Sequence, residues 1–251
     1  MRRFKGHTGN VTSIAWSPTS DRIASASEDK TVRIWEVSSG KEIKICRGHQ
    51  DKITSLAWSP DGTMIATGSM DYTVRIWRED DENEIKCFRA DEAGHAGSVM
   101  TVAWSPCGSL IASGSEDKII SLWNSKSSDK VRDLVGHEET ITSLSWSPDG
   151  AKLASGSWDT TLRIWKVSTG RKERCFKGHA HRVSSVAWSP DGKTIATASW
   201  DKTVRIWEVS SGKSSQHCCS KTAALTSVAW SPDGKMIVTL SGEGIVAVWK
   251  V

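Results

Sequence analysis

The chain has 251 residues, with 33 basic and 29 acidic side chains and a formal net charge of +4. Charged residues at 25% and hydrophobic residues at 37% describe a folded, soluble chain, and so small a charge excess gives no argument for nucleic acid or an anionic membrane as partner. No stretch approaches the roughly 20 apolar residues of a membrane-spanning helix, and the opening Met1-Arg2-Arg3-Phe4-Lys5 lacks the apolar core of a signal peptide.

In chain order, residues 11–16 form an apolar, β-rich run that ends in Trp16-Ser17-Pro18, a turn follows to Asp21, and residues 22–27 and 31–36 are two further short runs. Ser27-Glu28-Asp29-Lys30 makes the tight turn between them, Ser38-Ser39-Gly40-Lys41 the next, and residues 42–46 a fourth strand. Four short strands in about 42 residues predict one antiparallel sheet with hairpin connections. Helix is not expected, because apolar residues alternate and turns recur too often.

This unit repeats. Trp-Ser-Pro begins at Trp16, Trp58, Trp104, Trp146, Trp188 and Trp230, with spacings of 42, 46, 42, 42 and 42. Trp35, Trp77, Trp123, Trp165, Trp207 and Trp249 follow with the same spacings, so the two series use 12 of the 14 tryptophans. A four-residue insertion at 90–93 accounts for the longer interval. Repeats run approximately over 6–47, 48–93, 94–135, 136–177, 178–219 and 220–251. The six cysteines suggest no disulfide framework. Cys46, Cys87, Cys175 and Cys218 fall at nearly equivalent repeat positions, and Cys218 and Cys219 are adjacent, so reduced, packing cysteines and an intracellular setting, cytoplasmic or nuclear, are expected.

A Gly-His pair opens five units, at Gly6-His7, Gly48-His49, Gly94-His95, Gly136-His137 and Gly178-His179. An aspartate stands six residues before the second tryptophan at Asp29, Asp71, Asp117, Asp159 and Asp201. Over essentially its whole length the chain resembles the WD40-repeat family. It departs from the family dipeptide, since the second tryptophan is followed by Glu36, Arg78, Asn124, Lys166, Glu208 or Lys250 and never by Asp. The resemblance implies an all-β fold: a single β-propeller spanning 1–251, with six four-stranded antiparallel blades. The sixth unit stops at Val251 after its third strand, while Arg3-Phe4-Lys5-Gly6-His7 matches Cys175-Phe176-Lys177-Gly178-His179. Residues 1–5 are therefore expected to complete the last blade and close the ring by pairing with residues 245–250. Seven blades are commoner among relatives, which leaves a chain short of one repeat as an alternative.

Each of the first five units holds Ser or Thr, Asp and His: Ser25, Asp29 and His7; Thr67, Asp71 and His49; Ser113, Asp117 and His95; Ser155, Asp159 and His137; Thr197, Asp201 and His179. Taken singly, each set suggests a hydrolase triad. Five copies of an active site make little functional sense, and no motif supplies an oxyanion hole. The resemblance implies a structural network instead, in which Asp bonds His, His bonds the hydroxyl, and the hydroxyl bonds the indole of Trp35, Trp77, Trp123, Trp165 or Trp207. Unit six has Glu243 and Lys221 in place of Asp and His, keeps Thr239 and Trp249, and is expected to be the weakest.

The resemblance also places three variable positions per blade on the rim of the channel, on the face of the Gly-His loops. Before the turn acid stand Glu28, Met70, Glu116, Trp158, Trp200 and Gly242. The first strand contributes Lys52, Arg182 and Met100, among Asn10, Ser98, Thr140, Ala224 and the hydroxyls Thr12, Thr54, Thr142, Ser184 and Thr226. Trp158 and Trp200 are the two tryptophans outside the series, on neighbouring blades beside His181 and Arg182, and indoles are strong anchors for protein contacts. Glu28, Lys52, Met70, Met100 and Glu116 join them as candidate partner contacts. The acidic run at 79–84 lies on the opposite face. An aromatic cage for a cationic side chain would need a third ring, and neither Tyr72 nor Phe4, Phe88 or Phe176 maps to the rim.

The function expected is a non-catalytic adaptor that docks proteins or peptide segments, within a multiprotein complex. No enzyme activity, cofactor, metal site or membrane is expected, since neither a phosphate-binding glycine loop nor a metal-ligand spacing of His and Cys occurs. The alternative is a nucleic-acid-associated subunit of an RNA-processing or chromatin complex, although scattered lysines and arginines form no stripe for direct contact.

Overall fold

Alternating apolar residues in runs of five or six, cut by Gly, Asp and Ser, can satisfy their backbone groups only by pairing into short hairpins. The computed structural model describes residues 3–78, 84–88, 94–127, 129–218 and 223–251, and these described residues hold 23 β-strands. Among the described residues, no helix is long and apolar enough to cross a membrane. The chain divides into two compact units, Met1–Asp133 and Leu134–Val251.

In the first unit, β1 (Val11–Trp16), β2 (Arg22–Ser27), β3 (Thr31–Glu36) and β4 (Glu42–Arg47) form one four-stranded sheet in chain order. A second comprises β5 (Ile53–Trp58), β6 (Met64–Ser69), β7 (Val74–Arg78) and β8 (Glu84–Phe88), and a third β9 (Val99–Trp104), β10 (Leu110–Ser115), β11 (Ile119–Asn124) and β12 (Lys130–Val135). The second unit holds β13 (Ile141–Trp146), β14 (Lys152–Ser157), β15 (Leu162–Lys166) and β16 (Lys172–Phe176) as the fourth sheet, then β17 (Val183–Trp188), β18 (Thr194–Ser199), β19 (Thr203–Glu208) and β20 (Ser214–Cys218) as the fifth. The sixth sheet has three strands, β21 (Leu225–Trp230), β22 (Met236–Ser241) and β23 (Val246–Lys250).

Within each unit the core lies between successive sheets. Ala24, Ala26, Val32, Ile34 and Cys46 of the first sheet pack on Ile53, Leu56, Trp58, Ile65 and Trp77 of the second. Ala154, Leu162, Ile164 and Phe176 of the fourth pack in the same way on Val183, Val186, Trp188, Ile195 and Trp207 of the fifth. Burying each large side chain contributes about 1.5–3 kcal/mol, so the stacking is where most stabilisation arises. Three of the Trp-Ser-Pro indoles also tie sheet to sheet: Trp58 Nε1 donates to the Ala15 carbonyl at 3.2 Å, Trp104 Nε1 to that of Ala57 at 3.1 Å, and Trp230 Nε1 to that of Ala187 at 3.0 Å. A bulge at the second residue of the first strand re-aims its hydroxyl. Thr142 Oγ1 thereby reaches the Val183 carbonyl at 2.6 Å, and Ser184 Oγ that of Leu225 at 2.6 Å. Thr12 and Thr54 bridge to the next sheet likewise, so these four hydroxyls serve the stacking of sheets.

Three features depart from a uniform repeat. Arg3-Phe4-Lys5 adopts no strand, and the sixth sheet stays three-stranded among the described residues, without the completing strand expected from residues 1–5. The Phe4 ring packs on Trp35 of the first sheet at 5.6 Å, as Phe176 packs on Trp207 at 5.3 Å. The repeat match therefore holds for the ring two residues before Gly6-His7 and Gly178-His179, with Phe176 inside β16 and Phe4 in no strand. Second, the terminal sheets expose what the others bury. Ile14 and Trp16 of β1 are 70% and 57% exposed, where Leu56 and Trp58 are 6% and 8%, and Val246 and Val248 of β23 are likewise open. Third, the cysteines are not uniformly packing residues. Cys46 is buried, its thiol pushed up to about 11 by desolvation, whereas Cys175 is exposed. Cys46 pairs with Val32 and stands two residues before Gly48; Cys175 pairs with Arg163 and stands three before Gly178. One residue of offset turns a strand side chain to the other face.

Gly156 tests the closeness of stacking, since a Cβ there would lie 2.7 Å from both Val183 Cγ1 and Val186 Cγ2. Gly156→Ala is expected to lower unfolding free energy by about 1–3 kcal/mol through overpacking. Urea denaturation at parental stability would show that the fifth sheet can retreat freely.

Candidate functional site

The Asp–His–hydroxyl–Trp chain forms in all five units that carry it. His7 Nδ1 lies 2.8 Å from Asp29 Oδ2 and Nε2 2.8 Å from Ser25 Oγ, and Trp35 Nε1 donates to that Oγ at 2.8 Å. His49, Thr67, Asp71 and Trp77 repeat it at 2.7–2.9 Å, as do His95, Ser113, Asp117 and Trp123 at 2.7–2.8 Å. In the second unit, His137, Ser155, Asp159 and Trp165 span 2.7–2.8 Å, and so do His179, Thr197, Asp201 and Trp207. The indole can only donate, so the hydroxyl accepts from it and gives its own proton to Nε2, which leaves Nδ1–H to donate to the carboxylate. Every polar group in the chain is satisfied with a neutral imidazole.

Burial sets the chemistry of this network. Thr67, Ser113, Ser155 and Thr197 are fully buried, so no substrate reaches their hydroxyls. The carboxylates of Asp29, Asp71, Asp159 and Asp201 lie well below the usual range. Burial works against ionisation there, and hydrogen bonds from histidine, threonine and backbone outweigh it. Asp159 accepts from Glu138 N at 3.1 Å, Thr161 N at 3.0 Å and Thr161 Oγ1 at 2.6 Å, besides His137. Sequence reasoning missed these threonines. Their signal was the recurrent Asp-x-Thr of Thr31, Thr73, Thr161 and Thr203, broken at Ile119. A left-handed residue between the two, such as Thr160 at φ 68°, folds the turn back on the carboxylate. In the sixth sheet Trp249 Nε1 still reaches Thr239 Oγ1 at 3.1 Å, and Lys221 lies outside the described residues.

The variable positions fall into two groups. In the first unit Lys52 Nζ pairs with Glu28 Oε1 at 3.0 Å, and Asn10 Nδ2 donates to Glu28 Oε2 at 3.1 Å, so this corner neutralises itself. Met70 is 36% exposed, Glu116 is exposed and Met100 half-buried. The insertion at 90–93 and the acidic run at 79–83 lie outside the described residues.

In the second unit Trp158, on the β14–β15 turn, and Trp200, on the β18–β19 turn, are 41% and 40% exposed. Each turn is fixed by a backbone bond to the segment before the first strand, Trp158 N to the Thr140 carbonyl and Trp200 N to that of Arg182, both at 3.0 Å. Arg182 Cζ lies 3.2 Å from the Trp200 ring centre and 4.7 Å from that of Trp158, and His181 stacks on Trp200 at 5.8 Å. The two indoles therefore flank one guanidinium. Glu139, Trp158, Thr160, Ala180, His181 and Arg182 line a pocket of ≈ 350 Å³. Glu139, Thr160 and Ala180 were not among the sequence candidates, because nothing in the repeat marks them as facing the indoles.

These antiparallel sheets with their five-fold polar network define a repeat protein of the propeller class. The chain belongs to the WD40-repeat β-propeller family: residues 11–177 match the model described as the Echinoderm microtubule-associated protein second beta-propeller, and residues 170–208 and 212–250 match the WD domain, G-beta repeat. Similar curated proteins include a Ribosome biogenesis protein BOP1 homolog of Monosiga brevicollis, 43% identical over 42 residues, or 17% of this chain and 5% of that protein. The Transcriptional corepressor LEUNIG_HOMOLOG of Arabidopsis thaliana is 54% identical over 37 residues, 15% and 5% of the two chains. Pre-mRNA-processing factor 19 of Homo sapiens is 40% identical over 47 residues, 19% and 9%. These matches span less than a tenth of each relative and about one repeat of this chain.

Two outcomes test the network. His137→Ala leaves a buried hydroxyl and a buried carboxylate short of a partner and is expected to cost about 2–4 kcal/mol in urea denaturation; parental stability would refute the coupling. The second concerns pH. Burial, opposed by the aspartate partners, holds His137 and His179 below their ordinary 6.5. Above that value neither state binds the proton. Below it the unfolded chain takes up protons that the folded chain resists, so stability falls. The carboxylates act in the same direction, their contribution fading as pH drops below the ordinary 3.8. Urea midpoints are expected to decline from about pH 6.5 downward and His137→Gln to flatten the slope. Midpoints independent of pH down to about 5 would contradict it.

Proposed function

We propose that this chain is a non-catalytic interaction scaffold that docks a peptide segment of another protein on the face of the Gly-His loops, with Trp158 and Trp200 as its anchors. One observation carries the reading. Every other tryptophan recurs six times and serves the shared fold, whereas these two occur in single units, at a position taken elsewhere by Glu28, Met70, Glu116 and Gly242, and each stays about 40% exposed. A position that accepts such different side chains is not core. Covering two indoles returns apolar area to contact at ~25 cal/mol per Å², and the ≈ 350 Å³ pocket beside them has room for a side chain.

The polar sets support a binding role over hydrolysis. Their hydroxyls are buried and already shared between an indole and an imidazole, so each proton is committed to the fold. Propellers of this family commonly act as scaffolds within assemblies, and the short stretches shared with ribosome-biogenesis and pre-mRNA-processing proteins select no particular assembly.

The test is selection of linear peptides from a displayed library on the immobilised protein. Trp158→Ala with Trp200→Ala is expected to leave the urea midpoint nearly unchanged and to weaken the selected peptides at least about 30-fold, the loss of one ~2 kcal/mol hot spot. Peptides that bind the folded double variant as tightly as the parent would move the site elsewhere, with the acidic run at 79–84 next.

A further inference from the structure

The space between the two indoles is already filled by a cation of this chain. Arg182 Cζ at 3.2 Å from one ring centre and 4.7 Å from the other occupies the place an incoming lysine or methylated lysine would take. The site is therefore not a cage for a cationic ligand. What remains unfilled belongs to the arginine.

A guanidinium carries five N–H donors and no acceptor. Among the described residues the Arg182 side chain donates none of them to an acceptor and has no ion-pair partner, and its Nε is buried without a hydrogen-bond partner. Indole faces satisfy its charge in part and its N–H groups not at all. Stacking also holds the plane, so the two Nη groups, unlike the buried Nε, can present parallel donors in the fork geometry that matches a carboxylate in a bidentate contact. His181 Nδ1 accepts the Arg182 backbone N–H at 2.9 Å, which keeps the ring proton on Nε2 and adds a second donor to the same pocket.

We infer that Arg182, clamped by Trp158 and Trp200, is the receptor for a carboxylate of the docked segment, either an acidic side chain or a C-terminal carboxylate. This deepens the docking reading and rests on it. A carboxylate is favoured over a phosphate, because one guanidinium supplies one permanent positive charge, which a single carboxylate balances and a dianionic phosphate exceeds.

The test uses the indole N–H resonances of Trp158 and Trp200, assigned through Trp158→Phe and Trp200→Phe. Three capped tripeptides are titrated: acetyl-Ala-Glu-Ala-amide, its Gln counterpart, and acetyl-Ala-Ala-Ala with a free C-terminus. At least one of the two carboxylate probes should move both resonances saturably, and which one does so names the source. The Gln probe should bind at least tenfold more weakly. Arg182→Gln should abolish the response, and Arg182→Lys, which keeps the charge and loses the fork, should weaken it severalfold. Equal binding of the Gln probe, tighter binding of a phosphoserine counterpart, or an undiminished response in folded Arg182→Gln would each overturn the inference. Should no tripeptide move the indoles while library peptides still require Trp158 and Trp200, docking stands and carboxylate recognition falls; loss of both would remove the site itself.

Discussion

In each of five blades a buried indole N–H must find an acceptor, and the hydroxyl that serves it must in turn find one for its own proton. The imidazole meets that second need, and the carboxylate meets the imidazole's. Because the four groups come from the Gly-His loop, the second strand, the turn and the third strand, satisfying them fixes the loop against the hairpin. Leaving any of these groups unpaired in the interior costs about 1–3 kcal/mol, more for a charge. The turn geometry follows from that demand. The left-handed residue after each aspartate brings the carboxylate under the backbone N–H of the residue two positions on, and under its hydroxyl where that residue is threonine.

Once the loops are fixed in this way, the turn before each acid is a rigid platform whose own side chain is free to differ from blade to blade. That division separates fold from recognition along the chain. The first-strand hydroxyls of Thr12, Thr54, Thr142 and Ser184 bridge successive sheets and belong with the fold. The residues before the acids do not, and their contrast in the two units is chemical. Glu28 is neutralised by Lys52 and Asn10, whereas Arg182 is held by two aromatic faces that offer its N–H groups no acceptor. Both arrangements occupy the same repeat positions, and only the second leaves hydrogen-bonding capacity directed at an outside group.

The sequence by itself determined the repeat, the antiparallel hairpins and the membership of the polar network, because each depends on residues at fixed short spacing in a pattern copied five or six times. It also singled out Trp158 and Trp200, since a departure from a repeat is visible without coordinates. Tertiary structure alone decided what a single register or a single ring contact controls. Cys46 and Cys175 look equivalent in the alignment and lie on opposite faces, because one residue of offset reverses a strand side chain. Phe4 matches Phe176, yet its packing on Trp35 comes without the strand that would have completed the sixth sheet. Arg182 reads in sequence as a basic residue near two tryptophans. That its guanidinium lies between them, 18 and 24 positions away along the chain, with its donors unmet, is a consequence of how the fourth and fifth sheets stack.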